Sequence, residues 1–372
     1  MTRLNTYPHW GLSNGVSLED YLNKDEVMER EEFSTEGKFI VWILTPRKTA
    51  DQPDTPILAQ CKTYRRASSF ILDRNSSLAE GKVPSTLEKK VGYGIATVYT
   101  PDAYRGKGYA KRMLRELHYL MAAPESLPPY PASLGPHSPR VPPNLRNVLQ
   151  DAAFSVLYSD IGPLFYTKCY VGESGSGWVA QPSITWEFPV SAASTTATHP
   201  DLQKEKDVQW IYSKEDIIPI QSRVSQAVWT QLERSAQDTK GKDGAEVGFL
   251  PDQGVLYMII VKSQAVDPQP GPDDPRRTYG FQTSDGGVVV WSPVVERGRG
   301  VGLGINYTMG KIPYDLIARA AASEQYDWIE IWDDRWLAEQ EGMGWPVDGR
   351  RIERSSSFSY KREIAGQVVS HL

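Results

Sequence analysis

A strand, a short glycine-bearing turn and an amphipathic helix follow one another at residues 91–121, and this stretch constrains the fold most. Val91–Tyr99 is rich in β-branched and aromatic residues, and Pro101 marks the strand end. After the turn, apolar residues recur at helical spacing up to Met121, with basic residues on the other face. The pattern predicts a strand that leads directly into a helix within a mixed α/β fold.

The turn has the residues that an anion site requires. The first amides of a helix have no partner inside it, and together with the helix dipole they favour a negative charge. Gly106 and Gly108 expose the backbone, while Arg105 and Lys107 add positive charge. The turn matches neither of the common glycine-rich nucleotide motifs. Spacing alone therefore leaves two interpretations equally open, a pyrophosphate cradle and an exposed basic turn.

The turn also resembles a known motif. Arg105-x-x-Gly108-x-Ala110, after the strand that ends at Pro101, is similar to the coenzyme A motif of the GNAT acetyltransferases, Arg/Gln-x-x-Gly-x-Gly/Ala. The resemblance implies a GNAT fold with a mixed central sheet and acetyl-CoA as co-substrate. It implies that two groups of residues contact the coenzyme: the amides of Arg105, Gly106, Lys107, Gly108, Tyr109 and Ala110 with the pyrophosphate, and Thr97, Val98 and Tyr99 with the pantetheine arm and acetyl carbonyl.

A second block, Leu164–Tyr170, resembles the last block of the same enzymes, a helix that ends in Phe-Tyr-x-Lys-x-Gly-Phe. Cys169-Tyr170 stands in place of the usual Gly-Phe. The resemblance implies that Tyr166 faces the sulfur of the coenzyme, where a phenol can donate a proton to the departing thiolate. The other interpretation is a core tyrosine. Ser159 and Asp160 are candidates for contact with the amine substrate, and no residue is identified as a general base.

The predicted elements repeat along the chain, and 372 residues suffice for two domains. Residues 1–190 form the GNAT-like domain, 191–207 a polar linker, and 208–372 a second domain with the same element order. The turn before the helix at 314–324 lacks the arginine and the glycine spacing. We therefore expect a degenerate GNAT-like domain that shapes the amine pocket. Residues 122–146, with eight prolines, are predicted to be an insertion, either a surface loop or a lid.

The second half also offers side chains that could bind an amine, because acids and aromatic faces attract an ammonium group. The candidates are Tyr307, Trp328, Glu330, Trp332, Asp333 and Asp334. The alternation Trp-Ile-Glu-Ile-Trp is more typical of a half-buried strand. Two further patterns predict an apolar strand at Gly254–Val261 and a glycine-rich turn at 298–304.

Composition limits the classes of partner. The net charge of −5 argues against nucleic acid and mildly favours a cationic substrate. The sequence contains no apolar run of membrane-spanning length, the start lacks a signal-peptide core, and the five histidines have no metal-ligand spacing. The two cysteines are consistent with a reducing compartment. We therefore expect a cytoplasmic protein without metal; Ser370-His371-Leu372 resembles a variant of the peroxisomal address.

A narrower resemblance concerns the substrate. The segment Phe154–Tyr166, with the proline-rich insertion and the second half, is similar to the fungal lysine N-epsilon-acetyltransferases. This implies acetyl transfer to the ε-amine of free L-lysine in lysine catabolism. A polyamine or a protein lysine as acceptor, and a non-catalytic acyl-CoA-binding role, remain alternatives.

Overall fold

The computed structural model describes most of both halves of the chain. The described residues are 2–71, 87–159, 161–175, 177–190, 205–238, 245–266, 277–296, 299–332, 334–346, 349–361 and 368–370. Among them, the helices are α1 (Thr2–Trp10), α2 (Leu18–Arg30), α3 (Tyr109–Met121), α4 (Pro163–Tyr166), α5 (Lys214–Ile217), α6 (Gln221–Asp238), α7 (Met258–Val266), α8 (Tyr314–Ser323) and α9 (Asp334–Ala338).

The strands of the described residues run through both halves as well. They are β1 (Phe39–Leu44), β2 (Ala59–Ile71), β3 (Glu88–Tyr99), β4 (Ala152–Tyr158), β5 (Val179–Pro189), β6 (Val208–Ile211), β7 (Ala245–Phe249), β8 (Gly280–Thr283), β9 (Val288–Glu296), β10 (Gly300–Met309), β11 (Trp328–Ile331), β12 (Arg350–Lys361) and β13 (Val368–Ser370).

These strands form one mixed sheet in the order β13-β7-β2-β3-β4-β12-β5-β11-β10-β9-β8-β6, with β1 also paired to β2. The pairs β3–β4 and β10–β11 are parallel. The predicted mixed α/β class and the strand–turn–helix unit, here β3 and α3, are confirmed. Because β7 pairs with β2 and β12 lies between β4 and β5, strands of the second half complete the sheet of the first. The boundary at 191–207 stays a prediction, since residues 191–204 lie outside the described ranges.

Helix α2 begins as its sequence indicates. Ser17 is the N-cap, and its hydroxyl oxygen accepts a hydrogen bond from the Asp20 amide at 3.1 Å. Helix α3 buries one face, with Met113, Leu114 and Leu117 against the sheet. That burial fixes α3, and with it the turn that precedes it, on one face of the sheet.

Two elements of the second half differ from the prediction. Gly254–Val261 is a turn followed by α7, because its buried residues, including Tyr257 and Val261, follow a helical period within a run too short for periodicity to decide. Residues 300–304, predicted as part of a glycine-rich turn, belong instead to strand β10. A Cβ at Gly302 would lie 2.2 Å from Cε2 of Trp328, so this glycine allows close packing rather than a turn.

The proline-rich insertion packs along α3. Its backbone carbonyls accept hydrogen bonds from two α3 side chains: Arg112 Nη2 reaches Leu134 O at 2.8 Å, and the Tyr119 hydroxyl reaches Pro129 O at 3.2 Å. Short 3₁₀ turns occupy Pro124–Ser126, Ala132–Leu134 and Pro143–Leu145. The predicted insertion is thus an ordered cover of α3, and its role as a lid stays a prediction. None of the described helices combines the length and apolarity needed to cross a bilayer.

A buried carboxyl at the end of α8 gives a stability prediction. Burial raises the pKa of Glu324 to about 7, although Thr278 donates hydrogen bonds to Oε1 from its amide (2.6 Å) and its hydroxyl (2.5 Å). The folded state therefore holds this proton more tightly than the unfolded chain does. The free energy of unfolding should fall between about pH 4.5 and pH 7 by roughly 3 kcal/mol from this group.

Glu324→Gln keeps an acceptor for Thr278 and removes the charge. We expect thermal denaturation to show a smaller loss of Tm between pH 5 and pH 8 for this variant than for the parent chain. Exposed Glu339→Gln is the control and should keep the parental pH dependence. Equal pH dependence of Tm in Glu324→Gln and the parent would contradict this role of Glu324.

Candidate functional site

Strand β3 extends beyond the end of its pairing with β4, which leaves a gap at that edge of β3 beside the anion turn. Their described parallel pairing runs from Val91 and Ala152 to Ile95 and Leu157. Beyond Ile95, β3 continues to Tyr99, while β4 pairs on its other edge with β12. The stretch 96–99 therefore presents backbone groups toward the gap between the two strands, where an extended ligand can pair with them.

The same stretch contains a β-bulge. Gln60 of β2 is opposite Tyr99 and Lys62 is opposite Ala96, so Thr97 and Val98 together face Cys61. Thr97 has φ of +53°, an unusual conformation for a β-branched residue. Such strain costs on the order of 1–3 kcal/mol and clusters at functional sites. The bulge thus re-aims the three residues predicted to contact the pantetheine arm.

The turn into α3 is shaped by two glycines in left-handed conformations. Gly106 has φ of +76°, and Gly108, the N-cap of α3, has φ of +79°. A Cβ built on either glycine would meet no atom within 4 Å. The space above this backbone is open, so the glycines serve an approach to the backbone rather than internal packing.

The electrostatics of the turn favour an anion. Among the described backbone hydrogen bonds, none uses the amides of residues 106–111 as donors, and the first α3 bond runs from Arg112 N to Gly108 O. No acidic residue lies in the first turn of α3. Arg105 donates from Nε to Thr100 O at 3.1 Å, and Lys107 Nζ donates to Ala103 O at 3.1 Å. These contacts hold both cations beside the cradle, although Asp102 pairs with Arg105 at 2.9 Å.

A cavity of about 240 Å³ lies over this turn. Its lining brings together Thr100, Tyr104, Arg105, Gly106, Gly108, Tyr109, Ala110 and Lys111 with Phe165 of α4. Five of the nine predicted coenzyme residues thus line this cavity, while Lys107 and Thr97–Tyr99 do not. Positive φ glycines, open amides and neighbouring cations fit the pyrophosphate of a coenzyme.

Tyr166 lies behind Phe165 in the core of the first half. Its side chain is 6% exposed, and its ring packs edge-on against Phe165 (5.0 Å between centroids) and Trp178 (6.2 Å). Val98 of the bulge and Tyr109 of α3 contact the same hydrophobic cluster. The structure therefore places Tyr166 beneath the candidate site, and its proton-donating role stays a prediction.

Helix α3 also positions the segment after Tyr166. Arg115 donates from Nε to Tyr170 O at 3.1 Å, and the His118 ring is 3.0 Å from Cys169 O. Burial lowers the pKa of His118 to about 4, so this imidazole is neutral at physiological pH. Helix α3 therefore begins at the anion turn and also holds, through two of its side chains, the segment that follows Tyr166.

The predicted acceptor residues are less well placed. The Ser159 hydroxyl closes its own turn, donating to Gly162 O and accepting from Ile161 N, both at 3.2 Å. Asp160 lies outside the described residues, so its contact with substrate stays a prediction.

The candidates in the second half belong mainly to a buried strand. Trp328 and Glu330 of β11 are each 3% exposed, and Trp332 Nε1 donates to Glu330 at 3.2 Å. Tyr307 donates to Val224 O at 3.4 Å. Asp333 is outside the described residues, as is the side chain of Asp334. The segment is a strand as predicted, but Trp328–Ile331 are all buried, so the expected half-buried alternation is wrong.

Sequence reasoning missed the contribution of α1 and α2. The Trp10 ring of α1 lies 5.8 Å from that of Tyr99, at the end of the bulged stretch. Asp25 of α2 pairs with Lys62 of β2 at 2.7 Å. Lys62 gave no signal of its own, because its strand also contains Arg65 and Arg66 and its partner comes from a distant part of the chain. Within the described ranges, no group of three or more His, Cys, Asp or Glu could hold a metal ion.

The fold and site define a mixed α/β protein with an anion cradle beside a bulged strand that extends past its parallel partner. No model of a known protein family matches the chain. A curated relative, a lysine acetyltransferase of Yarrowia lipolytica, is 24% identical over 199 residues, covering 52% of this chain and 41% of the relative. The match thus spans less than half of that protein. That relative is named as an acetyltransferase, which is the class of enzyme whose coenzyme motif the turn resembles.

Solved structures similar to the chain include two GCN5-related N-acetyltransferases. The protein from Kribbella flavida is 12% identical, with a TM-score of 0.45, covering 96% of this chain and 68% of that one. The protein from Anabaena variabilis is 14% identical, with a TM-score of 0.38, covering 92% of this chain and 71% of that one.

Proposed function

We propose that this protein is an acetyl-CoA-dependent N-acetyltransferase. The observation that carries the proposal is the cradle of open amides at residues 106–111, beside the bulged stretch of β3. The curated relative named lysine acetyltransferase supports the same chemistry. Acetyl-CoA supplies the activated acetyl group, and the acceptor is an amine.

The chain contributes binding and orientation. The amides after Gly106, with Arg105 and Lys107, hold the pyrophosphate. The backbone at 97–99 fixes the pantetheine arm and the carbonyl in the gap between β3 and β4. Orientation of the amine against the thioester provides most of the acceleration, and Tyr166 adds a proton donor for the leaving sulfur.

We propose free L-lysine as the acceptor, with a place in lysine degradation. The name of the curated relative and the narrower resemblance of Phe154–Tyr166 support this choice. A cytoplasmic location is proposed from composition, with the Ser370-His371-Leu372 tripeptide as a peroxisomal alternative; its last two residues lie outside the described ranges.

Thiol release from acetyl-CoA tests the function, with free lysine, ornithine, spermidine and a lysine-containing peptide as acceptors. We expect turnover with lysine and little with the peptide. Turnover on the peptide or on spermidine alone would retain the acetyltransferase and reject free lysine. Acetyl-CoA binding without turnover on any acceptor would instead favour an acyl-CoA-binding protein.

A further inference from the structure

A second cavity, of about 460 Å³, lies between helices α1 and α2 and strands β1 and β2. Four charged side chains line it, Arg3, Asp25, Glu29 and Lys62, together with apolar residues that include Leu22 and Val41. The volume is within the range of small-molecule sites.

This cavity lies on the sheet face opposite α3. Cys61 and Trp42 pack in the hydrophobic cluster beneath α3. Since neighbouring residues of a strand point to opposite faces, Lys62 and Val41 point away from that helix. The anion turn and the charged cavity are therefore on opposite faces of one sheet.

The cavity adjoins the bulge. Lys62 is opposite Ala96, and Gln60 is opposite Tyr99, so these two β2 residues flank the bulged stretch of β3. Gln60 Nε2 also donates to Thr2 O at 3.0 Å, which ties the start of α1 to this position. A ligand that extends from the cavity to the bulge would thus approach a group that is bound at the anion turn on the opposite face of the sheet.

The charges of the cavity are balanced and close together. Lys62 Nζ lies 2.7 Å from Asp25 Oδ2, and Arg3 Nη2 lies 2.7 Å from Glu29 Oε2. Arg3 Nε is also 3.8 Å from Asp25 Oδ2. Asp25 and Glu29 are one helical turn apart on α2, which places both carboxylates on the same side. The cavity is therefore lined by two cations and two anions together with apolar side chains.

Burial of the Asp25–Lys62 pair costs free energy of hydration. The side chains of Asp25 and Lys62 are 8% and 11% exposed. A buried ion pair adds little stability over well-packed apolar residues, because both charges lose their hydration. Beside an open cavity, such a pair is better explained as a preformed site for a ligand that itself carries both charges.

We propose that this cavity binds the head group of a free amino acid that is the acetyl acceptor, an assignment that rests on the proposed function. The carboxylate is received by Lys62 and Arg3, and the α-ammonium by Asp25 and Glu29. The methylene chain lies along Leu22 and Val41, and its terminal amine extends toward the bulge at Thr97.

Calorimetric titration of the full chain with L-lysine, in the absence of acetyl-CoA, tests the site directly. Cadaverine lacks the carboxylate and 6-aminohexanoate lacks the α-amine, so each should bind at least about tenfold more weakly than L-lysine. Lys62→Gln and Arg3→Gln should weaken L-lysine binding by about tenfold or more and leave cadaverine unchanged. Exposed Lys48→Gln is the matched control and should bind as the parent does.

Lys62→Gln leaves a buried carboxylate and could prevent folding, so Val41→Phe is a second variant. It fills the cavity without changing any charge, and it should also abolish L-lysine binding. Equal L-lysine binding by the parent, Arg3→Gln and Val41→Phe would overturn the assignment. So would turnover of a polyamine or peptide by a chain that does not bind L-lysine.

The same samples are titrated with acetyl-CoA, which separates this inference from the proposed function. Acetyl-CoA binding that is unchanged in Val41→Phe, with a loss of L-lysine binding, supports the cavity as a separate acceptor site. Failure of the parent chain to bind acetyl-CoA would reject the proposed function, while the L-lysine titration would still decide what the cavity binds.

Discussion

Replacing Gly108 with valine should weaken acetyl-CoA binding by about 100-fold, the loss of roughly two charge-assisted hydrogen bonds. Gly108 has φ of +79°, and the space beside it is open. A branched side chain there would cover the amides that we propose to hold the pyrophosphate. Calorimetric titration with acetyl-CoA measures the affinity, and thiol release measures turnover.

The matched control is Gly342→Val. Gly342 also has φ of +79° and open space around its Cβ position, but it lies in the second half of the chain. In both variants valine is forced into a left-handed backbone conformation, which costs about 1–2 kcal/mol, so both should show a similar decrease in Tm. Acetyl-CoA binding should be lost only in Gly108→Val. Parental affinity in Gly108→Val would show that the turn is the exposed basic turn of the alternative interpretation.

Replacing Tyr166 with phenylalanine should lower kcat by about 100-fold and leave the affinity for acetyl-CoA unchanged. The variant removes the proposed proton donor, and general acid catalysis of this kind contributes roughly 10²–10⁴-fold. The phenyl ring keeps its packing against Phe165 and Trp178. Steady-state kinetics with saturating acetyl-CoA and the best acceptor make the measurement.

Tyr130→Phe serves as the control for loss of a phenol. Tyr130 belongs to the proline-rich insertion, where its hydroxyl donates to Glu116 at 3.4 Å, and not to the gap between β3 and β4. Its kcat should equal that of the parent. A parental kcat in Tyr166→Phe, accompanied by a lower Tm, would assign Tyr166 to the core and remove it from the reaction.

The part of the site that local sequence encodes was predictable. The cradle depends on Gly106, Gly108 and the start of α3, all within a few residues of one another. Its signals, glycine spacing and an amphipathic helix, act through neighbouring backbone and need no tertiary information. The bulge at Thr97 left no such trace, because it is defined by the register against β2.

The charged cavity could not be predicted from the sequence either, because it also depends on contacts between distant parts of the chain. Asp25 and Lys62 belong to different elements, and only the packing of α2 on the sheet brings them to 2.7 Å. In the second half, periodicity failed where an apolar run was short, as at α7. The prediction of a turn also failed where a glycine allows close packing within a strand, as at Gly302 against Trp328.

The position of β12 has a consequence for how the chain acquires its structure. This strand fills the space between β4 and β5, yet it is synthesised long after both. Until it arrives, the edges of β4 and β5 that it covers lack their native partner, and such edges promote association between chains. Pairing over so long a sequence separation is slow, because the chain loses loop-closure entropy before the stabilising contacts form. The first half of the chain is therefore expected to complete its sheet only after synthesis, and until then it depends on protection from aggregation.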